Sequence, residues 1–103
     1  MTLDEFYTML CGMGIPAAYR VFTKSVSPPF IVYYEDSSDN FNADDLVYSK
    51  ASSITTELYT DKKDTALEAR LEGIFDAGGI VFRKSEVYID SEKLFEVIYV
   101  TEV

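Results

Sequence analysis

The stretch from Asp64 to Val100, DTALEARLEGIFDAGGIVFRKSEVYIDSEKLFEVIYV, contains a helix, a stop and two strands in that order. Asp64 is a good N-cap, because a short carboxylate accepts hydrogen bonds from N–H groups that have no partner inside the first turn. Leu67, Leu71, Ile74 and Phe75 then recur at spacings of three and four and share one face. Gly78-Gly79 supplies the stop, so the helix is predicted from about Asp64 to Ala77. Its other side carries Glu68, Glu72 and Asp76 with Arg70 near by, which reads as a solvated face. Two strands follow, Ile80 to Ile89 and Lys93 to Val103, separated by Asp90-Ser91-Glu92 as a tight turn. In the second, Phe95, Val97 and Tyr99 alternate with Glu96, Ile98 and Val100, so both sides are apolar for part of its length. Such a strand is central in a sheet, or is covered by helix on one face and by a partner on the other.

Working back toward the N-terminus, Val47 to Tyr59 reads as a strand, since Ile54, Thr56 and Leu58 alternate with Thr55, Glu57 and Tyr59. Before it lies Glu35-Asp36-Ser37-Ser38-Asp39-Asn40-Phe41-Asn42-Ala43-Asp44-Asp45, dense in turn formers and acids. The run Phe30-Ile31-Val32-Tyr33-Tyr34 is a further strand. Pro28-Pro29 leads into it or lies along its edge, because proline donates no ladder hydrogen bond. Ala17 to Lys24 is ambiguous, Tyr19-Arg20-Val21-Phe22 fitting a strand or a last helical turn, and is read as irregular or extended. At the N-terminus Thr2-x-x-Glu5 is a capping box, and Leu3, Phe6, Leu10 and Met13 form the stripe of a helix that Gly12, Gly14 and Pro16 bring to an end.

The order helix, strand, strand, helix, strand, strand predicts a single α+β domain over residues 1–103: a four-stranded, mainly antiparallel sheet with two helices on one face. Two helices cover one face only. The aromatic residues that fall on both faces therefore imply a sheet face or edge completed by another subunit.

Composition narrows the chemistry. The 103 residues hold 18 Asp and Glu against 9 Lys and Arg, a formal charge of −9, which argues against affinity for the phosphate backbone of nucleic acid. With no His and no Trp, Ser-His-Asp and Cys-His nucleophile systems and His-ligated zinc or haem sites are excluded. A lone Cys11 closes no intramolecular disulfide and has no base beside it in sequence, so it reads as a small, partly buried apolar residue in a reducing compartment. The acidic start, Met1-Thr2-Leu3-Asp4-Glu5, and the lack of a long apolar run lead to the expectation of a protein without signal peptide or membrane span. Asn40-x-Asn42-x-Asp44 invites a calcium reading but fails the helix-loop-helix template, with Asp45 where Gly is needed and Ala51 in place of the bidentate Glu. Gly12-Met13-Gly14 and Gly78-Gly79 are helix stops rather than phosphate cradles. No catalytic residue, cofactor or metal ligand is assigned, and the expectation is a protein that is not an enzyme. The candidate interaction residues are Pro28, Pro29, Asp36, Asp39, Asn40, Phe41 and Tyr99. Phe41 either tucks onto the sheet or anchors a partner.

Three stretches carry a resemblance: Pro28-Pro29-Phe30-Ile31-Val32-Tyr33 running on to Ser38-Asp39-Asn40-Phe41, then Glu57-Leu58-Tyr59-Thr60-Asp61-Lys62-Lys63-Asp64, then Tyr88-Ile89-Asp90-Ser91-Glu92-Lys93-Leu94. Together they resemble small proteins encoded among the head and tail genes of long-tailed phages and prophages of Gram-positive bacteria. Ala43-Asp44-Asp45 departs from that pattern, which has a Gly or an Ala-Asp-Gly turn there. The resemblance implies a virion structural protein made in the host bacterial cytoplasm: a tail-terminator, tail-completion or head-tail joining component. It implies a homo-oligomer, often a hexameric ring, between the tail tube protein and the head connector protein. A charge of −9 repeated around a ring would line its channel with acid and not hold passing DNA. The rival from another class is a small acidic inhibitor, a DNA mimic that fills the basic cleft of a host protein and needs carboxylates spaced along one exposed face.

Overall fold

At the N-terminus the capping box forms as the spacing requires, with the Glu5 N–H donating to Thr2 Oγ1 at 3.1 Å and the Thr2 N–H to Glu5 Oε1 at 2.8 Å. It opens α1, Leu3–Cys11, in a computed structural model that describes residues 1–35 and 53–102. The elements that follow are β1 (Ala17–Tyr19), β2 (Phe30–Glu35), β3 (Ser53–Thr60), α2 (Thr65–Ala77), β4 (Phe82–Ile89) and β5 (Leu94–Glu102). Residues 36–52, which hold most of the acidic stretch and the first part of the strand expected from Val47, lie outside the described residues, as does Val103.

The α+β class is as expected, but the sheet has five strands in the order β1-β2-β3-β5-β4 rather than four. The additional strand is β1, in the stretch read as irregular or extended, so the chain order is α-β-β-β-α-β-β. It pairs parallel to β2, Ala17 opposite Ile31, while every other neighbouring pair is antiparallel, which makes the sheet mixed. Arg20, at φ 67°, turns the chain away after three residues, and its N–H donates to the Tyr33 carbonyl at 2.9 Å. A parallel pair needs a crossover, and residues 20–29 supply one without a helix.

Asp64 caps α2 as its position predicts, Oδ1 accepting from the Leu67 N–H at 3.0 Å. Gly79 ends it at φ 72°, a backbone conformation that favours glycine. The turn between β4 and β5 extends to Lys93, at φ 57°, so β5 begins one residue later than expected, at Leu94. As expected for a strand apolar on both sides, β5 is interior, between β3 and β4.

Both helices pack on one face of the sheet. Phe6 and Leu10 of α1 and Leu67, Leu71 and Phe75 of α2 meet Ile31, Tyr33, Ile54, Leu58, Val97 and Tyr99 in a single buried cluster. Phe75 sits at its centre, with ring centroids 6.1 Å from Phe6, 5.7 Å from Phe82 and 5.6 Å from Tyr99. Arg70 ties α2 to the turn that follows α1, Nη2 donating to the Met13 carbonyl at 3.0 Å.

Candidate functional site

Strand side chains alternate, so the register that buries Ile31, Leu58 and Val97 under the helices turns the residues between them outward. Three cross-strand rows result on the opposite face: Phe30, Tyr59, Glu96 and Val87; Val32, Glu57, Ile98 and Ser85; Tyr34, Thr55, Val100 and Arg83. Among the described residues no helix packs here. Phe30, Val32, Tyr34, Tyr59, Ile98 and Val100 are half-buried, shielded in part by one another. Phe30 stacks on Tyr59 at 4.9 Å, and Phe22, from the crossover, meets the edge of Phe30 at 5.5 Å. Arg20 lies over the Tyr34 ring at 5.0 Å.

Two carboxylates stand within this apolar surface. The Tyr59 hydroxyl lies between them, 2.8 Å from Glu57 Oε1 and 3.1 Å from Glu96 Oε2, and Tyr34 donates its hydroxyl to Glu57 Oε2 at 3.0 Å. Burial, and then the negative charge of Glu57, hold the Glu96 carboxyl above the usual carboxylate range. Burial and the same two acids push the Tyr59 phenol upward. The face is thus an apolar floor with negative charge at its centre, which suits an apolar partner surface that carries a hydrogen-bond donor or a cation.

A second polar cluster lies on the other face, between α2 and β4. Lys84 reaches Glu68 at 3.0 Å and Glu72 at 2.7 Å, while Lys63 holds Glu68 at 2.7 Å and also pairs with Glu86. Glu68 is buried, 3% exposed, which corrects the reading of Glu68 and Glu72 as part of a solvated face. Burial alone would raise both carboxyls. The hydrogen bonds from Lys63 and Lys84 to Glu68, and from Lys84 and Tyr99 to Glu72, outweigh it and hold both below the usual range. The cluster was not readable from helix spacing, because Lys84 arrives from β4 in a register the sequence does not display. Four residues on α2 place Glu68 above Glu72, and only that spacing was a signal.

The residues singled out from the sequence fall in different places. Pro28 and Pro29 are half-buried and lead directly into Phe30, so they adjoin the uncovered face. Tyr99 belongs to the core: it is fully buried, its ring lies 5.3 Å from Phe82, and its hydroxyl donates to Glu72 Oε2 at 2.7 Å. Asp36, Asp39, Asn40 and Phe41 lie outside the described residues. Cys11, expected to be partly buried, is exposed. Glu57, Tyr59 and Glu96 were missed as a group, although the two-residue spacing of Glu57 and Tyr59 already put them on one face.

Among the described residues no group of three or more acidic or cysteine side chains is placed to hold a metal ion, and no helix is long and apolar enough to cross a membrane. No protein-family model matches the chain, and no curated protein matches it in sequence.

Proposed function

We propose that this chain is a structural subunit of the neck or tail of a long-tailed phage or prophage, acting as a tail-terminator, tail-completion or head-tail joining component. In this reading it is made in the bacterial cytoplasm and works as a homo-oligomeric ring, six copies being the number the resemblance implies, between the tail tube protein and the connector. It is not an enzyme, needs no cofactor, and has no direct affinity for nucleic acid or membrane.

The observation that carries the reading is the uncovered sheet face, where Phe30, Val32, Tyr34, Tyr59, Ile98 and Val100 stand together without a helix over them among the described residues. Apolar surface gathered on one face marks a contact with another protein. A heterologous contact of this kind generates a ring when its rotation closes. Four carboxylates among the described residues are not free for the DNA mimic, which needs them along an exposed face. Glu68 and Glu72 are consumed by Lys63 and Lys84, and Glu57 and Glu96 share Tyr59.

The test is to add the purified protein to tail tubes of a phage whose genome carries it and to image the tube ends by electron microscopy. Rings seated on one end are the expected result. Bare ends at saturating protein would sink the reading.

A further inference from the structure

β4 forms the outer edge of the sheet, paired with β5 on one side and with no described element on the other. The opposite edge, β1, is blunted by its length of three residues, whereas β4 has eight, Phe82–Ile89, with no proline and no positive φ among them. Such an edge offers a row of backbone donors and acceptors to another strand. Three of the large apolar residues that remain exposed lie on it or lead into it: Val81 at 80%, Val87 at 46% and Tyr88 at 46%.

We propose that β4 is a self-pairing edge: two copies of this chain join antiparallel through β4, with a two-fold axis at Ser85, to form one continuous sheet. The charges select this partner and this register. β4 carries Arg83, Lys84 and Glu86; Lys84 pairs with Glu68 and Glu72 and Glu86 with Lys63 inside the chain, yet their side chains stay 38% and 40% exposed and can extend the ion network to a second copy. About Ser85, each Lys84 faces the Glu86 of the other copy, Phe82 faces Tyr88, and Arg83 lays its stem along Val87. A slip of one residue puts side chains of opposite faces against each other and the helix layers on opposite sides of the joint sheet. A slip of two brings Lys84 against Lys84, or Glu86 against Glu86, which directly opposite charges of like sign disfavour. The contact is isologous and closes with two copies. It uses an edge rather than the uncovered face, so it stands whether or not the tail reading does.

The register is read by cysteine cross-linking in a Cys11→Ser background. Ser85→Cys sets two thiols opposite each other on the axis, within the Cα separation a disulfide accepts. Val87→Cys sets its two thiols roughly 14 Å apart along the strands, beyond that reach. Both positions are exposed, so the fold tolerates either change. Mild oxidation is expected to link Ser85→Cys into a dimer and to leave Val87→Cys unlinked. In sedimentation equilibrium the unmutated chain is expected to dimerise, and Glu86→Lys to weaken the dimer about tenfold by setting Lys84 against lysine. A Ser85→Cys chain that stays unlinked, or a Val87→Cys chain that links as readily, overturns the proposal.

Discussion

Glu57 and Glu96 stand on neighbouring strands with the Tyr59 hydroxyl between them, and Glu57 accepts from Tyr34 as well, which leaves Glu96 with Tyr59 as the one donor found for it among the described residues. Because the Glu96 carboxyl is held above its ordinary 4.5, the folded state takes up a proton more readily than the unfolded chain does. Stability from this group is therefore fully present below that ordinary value and is lost as pH rises through the raised one. Glu96→Gln, which keeps an acceptor for Tyr59 and removes the charge, is expected to melt above the parent at pH 7, with the gap closing toward pH 4. Thermal unfolding at the two pH values decides it, and a parent more stable at pH 7 would refute the account. Thr56 makes a different prediction. Its side-chain oxygen is buried with no hydrogen-bond partner among the described residues, between Tyr33 and Tyr99 across the strands. Valine has nearly the same shape without the orphaned oxygen, so Thr56→Val should stabilise the fold by about 1 kcal/mol in a urea titration.

At the scale of elements, α2 is held to β4 by charge as well as by its apolar stripe. Removing Lys84 leaves Glu72 with the Tyr99 hydroxyl and Glu68 with Lys63 alone. A half-satisfied buried carboxylate is costly, so Lys84→Met should destabilise the domain by about 1–3 kcal/mol at pH 7. The sign with pH is opposite to that of Glu96. Glu68 and Glu72 are held below their ordinary value, so their contribution is present above about pH 4.5 and is lost as pH falls through the lowered values. The difference between Lys84→Met and the parent should therefore shrink in urea titrations taken at pH 3, and a constant difference would show that packing, not charge, joins the two elements. What could be read in advance follows the same division. The boundaries of α2 were legible because Asp64 and Gly78-Gly79 act through the backbone within a few residues. β1 was not, because Ala17-Ala18-Tyr19 is too short to alternate and exists only through pairing with β2. The acids of α2 misread as solvated for a related reason: Lys84, the cation they share, lies on another element that the sequence does not bring beside them.

For the whole molecule, counting layers proved more informative than any motif. Two helices and a sheet apolar on both sides leave one face without a helix among the described residues, and that face lies where alternation in β3 and β5 requires. The identity of the interaction residues was less legible, since Tyr99 and Ile98 are both apolar neighbours on one strand and only the position of the helices separates inside from outside. That same adjacency gives the sharpest test of the tail reading. Val97 is buried under the helices, 1% exposed, and Ile98 is half-buried on the uncovered face. Val97→Glu puts a charge into the core and should unfold the chain, a loss of several kcal/mol. Ile98→Glu leaves the helix layer untouched, so circular dichroism should keep the signature of the parent, while the new carboxylate directly across from Glu57 lowers the melting temperature only modestly. If the face is the ring contact, Ile98→Glu will no longer form rings on tail tubes, because it places charge in the centre of the buried surface. The Ser85→Cys cross-link on β4 should survive in the same protein, since that contact runs along the edge of the sheet. Rings formed normally by a folded Ile98→Glu chain would show that the uncovered face is not what joins one subunit to the next.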